Sequence, residues 1–164
     1  MSSRTLLKLA CYYRKKEMTD LFQNEFTGSR LIGSITPLGE IGPKHHGIVL
    51  GTSMIDNKVY VAESMHRGYQ IAEADDFVER YKGNGKIQIC PNNGPLSSIE
   101  VAKRAMHEIN SGGNGKYDLI TNNCESFANR AMYGKSTSSQ IFNTILGVIA
   151  FIGLVWIIKE TKKA

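Results

Sequence analysis

Cys124 is the residue whose surroundings invite chemistry. It follows Asn122-Asn123 and opens a stretch that reads as a helix ending near Gly134, with a polar side chain available to cap one end and a glycine to close the other. A cysteine at a helix start lies beside backbone N–H groups and the positive end of the helix dipole, and both favour thiolate over thiol. That is the electrostatic setting of a thiol nucleophile. The competing description, a small buried apolar residue, fits most lone cysteines, so position alone does not decide between them.

A thiol nucleophile needs a base, and the segment Lys44-His45-His46-Gly47-Ile48-Val49-Leu50-Gly51 offers imidazole. If residues 45–50 and 58–63 pair as a hairpin about a loop centred near Met54, His45 falls opposite Glu63. The carboxylate would then orient the ring and stabilise its charge. Thiolate, proton-shuttling imidazole and a polar third group make the constellation of a cysteine hydrolase, provided the Cys124 helix and the hairpin meet.

The elements that must position these groups are visible as changes of pattern. From Leu31 onward, short apolar runs separated by Gly and Pro (Leu31-Ile32, Gly47–Leu50, Val59–Ala62, Tyr69–Ile71 and Ile87–Ile89) predict a small antiparallel sheet. Ser97 and Glu100 stand at capping-box spacing before Val101, Ala102, Ala105, Met106 and Ile109, which share one face of a helix. His107 falls off that stripe beside Glu108 and reads as a solvated residue.

Composition sets the bounds. A chain of 164 residues, 41% apolar and 21% charged, supports one globular domain plus an appendage, not two domains. The net charge of +5 is mild, and no aromatic stripe interleaves with the basic residues, so nucleic acid is not the expected partner. The three cysteines, Cys11, Cys90 and Cys124, form no close pair, which argues against a disulfide framework and a paired-cysteine zinc site. No metal or cofactor is expected, and a reducing compartment suits the globular part. The stretch Leu6–Cys11 is too short and too interrupted by charge for a signal peptide.

The run from Ile141 to Ile158 carries no charge, and its apolar residues surround the whole helix. At ~1.5 Å per residue it would span roughly 27 Å, close to a hydrocarbon core. With Trp156, Lys159, Lys162 and Lys163 at its border, it reads as a single C-terminal membrane anchor.

Several segments resemble the lecithin:retinol acyltransferase-like family, which includes the H-rev107-type phospholipase/acyltransferases. They are Pro37-Leu38-Gly39, Lys44–Gly51, Tyr117-Asp118-Leu119-Ile120-Thr121-Asn122-Asn123-Cys124-Glu125-Ser126-Phe127-Ala128-Asn129, and the tail Tyr133–Gln140 leading into the hydrophobic run. The resemblance covers roughly residues 28–158. It implies an α+β, circularly permuted papain-like (NlpC-type) fold with a small antiparallel sheet, a Cys-bearing helix and a C-terminal hydrophobic helix. Cys124 maps onto the family nucleophile and His45 onto its base, while His46 points to the opposite side of the strand.

Two departures stand out. Animal members carry a second histidine on the next strand, where this chain has Glu63. Glu63 is therefore the expected third member, with His66, past the strand, as the alternative. The family box also usually has histidine after Glu, where this chain has Ser126.

The resemblance implies a thiol-dependent acyltransferase or phospholipase A acting on membrane phospholipid esters through a cysteine thioester. A cysteine peptidase or amidase of the same superfold and an inactive membrane adaptor are the rival readings. The expected organisation is an N-terminal segment, 1–27, without assigned role, a catalytic domain, 28–137, and a membrane anchor with a basic tail, 138–164. The catalytic domain would then lie on the cytosolic face, in contact with a phospholipid membrane and acyl-chain substrates.

Overall fold

The computed structural model describes residues 21–113, 117–118 and 122–134. The expected anchor, from Ile141 to Ile158, lies outside them. Among the described residues no helix is long and apolar enough to cross a membrane.

The chain folds as an α+β unit around an antiparallel sheet. Its strands are β1 (Leu21–Phe22), β2 (Arg30–Ser34), β3 (Lys44–Ser53), β4 (Val59–Met65), β5 (Gly68–Glu73) and β6 (Gln88–Cys90). They lie in the order β5-β4-β3-β2-β6, with β1 paired to β3. Helix α1 (Ala74–Tyr81) follows β5, α2 (Ser98–Asn110) follows β6, and α3 (Cys124–Tyr133) comes last. Each short apolar run expected to be a strand overlaps a strand of the sheet, the last shifted by one residue from Ile87–Ile89 to Gln88–Cys90. Pairing of Leu21 with Ser53 brings the sheet's start ahead of residue 28, where the folded domain was expected to begin.

The central strand β3 is buried from His45 to Ser53, which explains its continuous apolar character. Successive side chains alternate between the sheet's two faces. Ile48 and Leu50, with Ala62 of β4, pack against Val101, Ala102, Ala105 and Met106 of α2 and Phe127, Ala128, Ala131 and Met132 of α3. On the other face, Val49, Val61 and Leu31 pack against Phe77 of α1. Fully burying an Ile, Leu or Phe side chain stabilises a fold by roughly 1.5–3 kcal/mol, so this two-sided layer is what fixes β3, and with it His45, in place.

Helix boundaries follow local chemistry. Ser97 caps α2 by accepting from the Glu100 N–H at 3.2 Å, and the predicted apolar stripe is the buried face. His107 is exposed, as its position off that stripe implies. Asn123 caps α3 by accepting from the Ser126 N–H at 2.8 Å. Gly134 closes α3 at φ 72°, a left-handed conformation that suits glycine. Cys124 is thus the first residue of its helix.

The hairpin register differs from the expected one. Glu63 pairs with Gly47, not with His45, whose partner on its other side is Gly33 of β2. Two features move the register. The ladder shifts between Val49 and Gly51, leaving Leu50 as an extra residue, and the reversal is centred beyond Met54, with Asn57 at φ 57° before β4 begins at Val59. Counting outward from Met54 assumed neither.

Candidate active site

The site forms where the start of α3 meets the start of β3. The thiol of Cys124 donates to the Lys44 carbonyl at 3.7 Å, which places the sulfur beside the residue preceding His45. The Cys124 side chain is close enough to the His45 imidazole to favour its charged form. The ring's Nε2 lies 2.7 Å from Glu63 Oε2, leaving Nδ1 as the nitrogen for the sulfur. Glu63 reaches the ring on a diagonal: two residues beyond His45's direct partner position, it lies on the same sheet face and its side chain is long enough to close the gap.

All three side chains are withdrawn from water, with relative exposures of 4% for Cys124, 4% for His45 and 0% for Glu63. Burial by itself would favour neutral imidazole. The influences of Cys124 and Glu63 outweigh it and push the His45 pKa up to about 9. Burial likewise opposes charge on Glu63, but its bonds to His45 and Arg80 hold the carboxyl below its ordinary range. His45 is therefore an imidazolium at neutral pH, sandwiched between sulfur and carboxylate.

His46 has a different environment. It is also buried, and burial together with the nearby Arg30 charge lowers its pKa to about 4 despite the opposing influence of Glu125. It stays neutral where His45 is charged. His66 lies edge-on to Tyr117, with ring centroids 6.0 Å apart, and Glu63 is the residue that reaches His45. Ser126 is fully buried in the first turn of α3, and its hydroxyl finds no hydrogen-bond partner among the described residues.

Five supporting residues carry no functional mark in the sequence. Arg80 Nη2 lies 2.5 Å from Glu63 Oε1, and Gln70 Nε2 lies 3.3 Å from the same oxygen. The guanidinium also sits over the rings of Phe77 and Tyr81 at 5.8 and 5.4 Å. Tyr81 covers the His45 ring at a centroid distance of 5.2 Å, and Phe77 stacks on it at 5.7 Å. Tyr117 lies near Cys124, and burial followed by the influence of that sulfur pushes its phenol up to about 12, so its hydroxyl keeps its proton. Phe77, Arg80 and Tyr81 all come from α1. The sequence did carry a signal for that helix: Phe77 and Tyr81 stand at i, i+4, with Asp75 and Asp76 in the first turn and Arg80 in the last.

Two open clefts adjoin this part of the molecule. One runs along α2 and α3 beside Lys103, Arg104, His107 and Arg130, away from the sulfur. The other is bordered by His66, Tyr69 and Tyr117, so Tyr117 stands between that cleft and Cys124. Among the described residues, no cluster of three or more His, Cys, Asp or Glu side chains is disposed to hold a metal ion.

No curated protein and no solved structure gives a significant match to this chain. The family model described as lecithin retinol acyltransferase matches residues 38–137, a span containing His45, Glu63 and Cys124, and the chain belongs to that family.

Proposed function

We propose that this chain is a thiol-dependent acyltransferase/phospholipase that attacks membrane phospholipid esters through Cys124. Family membership points to acyltransferase/phospholipase-type activity in general. The observation that carries the finer reading is the buried chain of Cys124, His45 and Glu63, closed by the 2.7 Å contact from imidazole to carboxylate. A thiol, an imidazole and an orienting carboxylate in series are what covalent acyl transfer requires. The His-bearing strand precedes the Cys-bearing helix, which is the order expected of a circularly permuted papain-like fold.

In the reaction, the Cys124 thiolate attacks the ester carbonyl and forms a tetrahedral adduct. Backbone N–H groups at the start of α3 stabilise its oxyanion. As the carbon–oxygen bond breaks, the His45 imidazolium gives its proton to the leaving alkoxide, releasing a lysophospholipid and leaving the acyl group on sulfur. Neutral His45 then takes a proton from water, an amine or an alcohol as that acceptor attacks the thioester. The second adduct collapses, expelling thiolate and restoring the imidazolium. Water gives a free fatty acid; another acceptor gives acyl transfer. Glu63 holds the ring and balances its charge throughout.

The unit that begins at Leu21 and runs to residue 137 would be catalytic, and the run beyond residue 138 would hold it at the cytosolic face of a membrane where acyl chains are concentrated. Mass spectrometry of the full-length protein incubated with phosphatidylcholine vesicles tests the mechanism. Wild type should gain an acyl group on Cys124, and Cys124→Ala should neither acquire it nor turn over lipid. Unchanged turnover by Cys124→Ala would remove the proposal.

A further inference from the structure

We propose that the loop joining β2 to β3, residues 35–43, is a membrane-docking surface that seats the catalytic groups against a phospholipid bilayer. This rests on the lipid-directed reading of the site. Ile35, Leu38 and Ile41 are 45%, 68% and 95% exposed. One exposed aliphatic side chain on a protein surface is ordinary; three on one short loop form an apolar patch.

The loop is fixed in shape. Ser34 Oγ donates to the Gly39 carbonyl at 3.0 Å, and Lys44 Nζ donates to the same oxygen at 2.9 Å. The Ile35 N–H donates to the Pro43 carbonyl at 2.9 Å, and Asn84 Nδ2 donates to the Ile35 carbonyl at 3.0 Å. Leu38 and Ile41 are thus displayed to solvent by a braced backbone.

Its position ties it to the chemistry. The loop ends at Lys44, whose carbonyl takes the Cys124 thiol and whose neighbour is His45. Met54 and Ile55 are also exposed, at 69% and 73%, but they lie past the far end of β3, roughly 30 Å away at ~3.3 Å per residue. Of these two apolar loops, only the 35–43 loop would bring an ester bond near the sulfur. Charge agrees with a bilayer occupant. Exposed Lys86, two residues from Asn84, and Lys44, whose ammonium braces the loop at the Gly39 carbonyl, outnumber the loop's own exposed Glu40, while Lys82 is offset by its pairing with Glu79. Aliphatic tips behind a basic collar suit an acyl interior beneath phosphate headgroups.

The test uses the full-length chain reconstituted into vesicles of phosphatidylcholine and phosphatidylserine. Trp156 is the chain's one tryptophan. In a Trp156→Phe background, Ile41→Trp and Ile55→Trp each supply a single probe, and lipids brominated on their acyl chains quench only a tryptophan inserted among them. Emission from Ile41→Trp should fall at least twofold, and emission from Ile55→Trp should hardly change. Unquenched emission from Ile41→Trp overturns the proposal, whether its spectrum indicates exposure to water or cover by a second copy of the chain. Strong quenching of Ile55→Trp alone overturns it too.

A second measurement compares turnover of vesicle phospholipid with turnover of a monomeric short-chain ester. In Leu38→Ser/Ile41→Ser, the ratio of the first to the second should drop at least tenfold relative to wild type. An unchanged ratio contradicts docking by this loop. Failure of the wild type on both substrates would instead count against the lipid-directed reading, and the quenching result would still decide whether the loop inserts.

Discussion

Glu63 meets His45 across a diagonal of the sheet: its backbone pairs with Gly47, yet its carboxylate lies 2.7 Å from the imidazole. Diagonal pairing leaves the other carboxylate oxygen pointing toward α1, where Arg80 takes it at 2.5 Å. The acid is thereby clamped between a ring it charges and a guanidinium that keeps it ionised. Burial of a lone carboxylate at this position would favour its protonated form; the two cationic partners reverse that preference.

Replacing Glu63 tests what the charge contributes. Because His45 is pushed up to about 9, it should remain a general acid until the pH approaches that value. Glu63→Gln keeps the size and removes the anion, so the alkaline limb of acyl-enzyme formation should move down by at least about one pH unit. A one-unit shift halves the protonated fraction at pH 8 and a larger one lowers it further, so the rate at pH 8 should fall by at least about twofold. Single-turnover acylation measured from pH 6 to 10 reads both. An alkaline limb in the same place as wild type would mean the carboxylate does not govern the proton on His45.

Arg80 offers a complementary test one residue further out. Removing one partner of a fully buried ion pair costs about 3–5 kcal/mol, whereas exposed pairs contribute roughly 0–1 kcal/mol. Arg80 is 32% exposed and Glu63 is wholly buried, so Arg80→Leu should destabilise by an intermediate amount, about 2 kcal/mol. Lys82→Ala, which breaks the exposed pair with Glu79, should cost less than about 1 kcal/mol. Urea denaturation of both variants measures the difference. Equal, small effects would show that Gln70 and His45 alone suffice to hold the carboxylate.

The sequence made Cys124, His45 and Glu63 legible because each carries a local mark. Asn123 and Gly134 bracket a helix, the run Gly47–Leu50 marks a buried strand, and Glu63 is a charge in an otherwise β-like segment. Which residue faces which depended on non-local geometry, and there the counting failed. A shift in the ladder at Leu50 and a reversal centred past Met54 moved Glu63 opposite Gly47. Only the reach of a glutamate side chain kept the expected partnership. Helix α1 went unseen because eight residues with a single fully buried apolar member, Phe77, give a weak periodic signal. Its contribution to the site, through Arg80 and Tyr81, is tertiary and has no marker in the flanking sequence.

Stability should depend on pH in opposite ways through the two adjacent histidines. His45 titrates at about 9 in the folded chain against an ordinary value of 6.5, so its contribution is complete below pH 6.5 and disappears as the pH rises through 9. At ~1.4 kcal/mol per unit, that contribution is on the order of 3 kcal/mol. His46 titrates at about 4, so its contribution is present above pH 6.5 and is lost as the pH falls through 4. Glu63, held below its ordinary range, adds to the acid-side loss. Unfolding midpoints should therefore peak near pH 6–7, and His46→Gln should flatten the acid side while leaving the alkaline side sloped. A profile that keeps rising to pH 9 would contradict a charged His45 in the folded state.

Gly33 provides a test of how α1 holds the imidazole. It pairs directly with His45 in the ladder between β2 and β3. A Cβ added there would lie 2.7 Å from Tyr81 Cβ and 2.8 Å from Tyr81 Cγ, closer than side-chain carbons approach. The missing side chain thus lets the end of α1 settle on the sheet, with Tyr81 over the His45 ring and Arg80 beside Glu63. Gly33→Ala must lift that end of the helix or bend the strand, and overpacking of this kind costs typically 1–3 kcal/mol. If the helix moves, Glu63 loses part of its hold on the ring. The alkaline limb of acylation should then shift down with Gly33→Ala, even though the substituted residue touches neither sulfur nor substrate. Adding Tyr81→Gly, which removes both the Cβ and the ring that the new methyl meets, should recover much of the stability lost to Gly33→Ala. It should not restore the covered environment of His45. Additive losses in the double variant would show that the two residues do not collide as the packing requires.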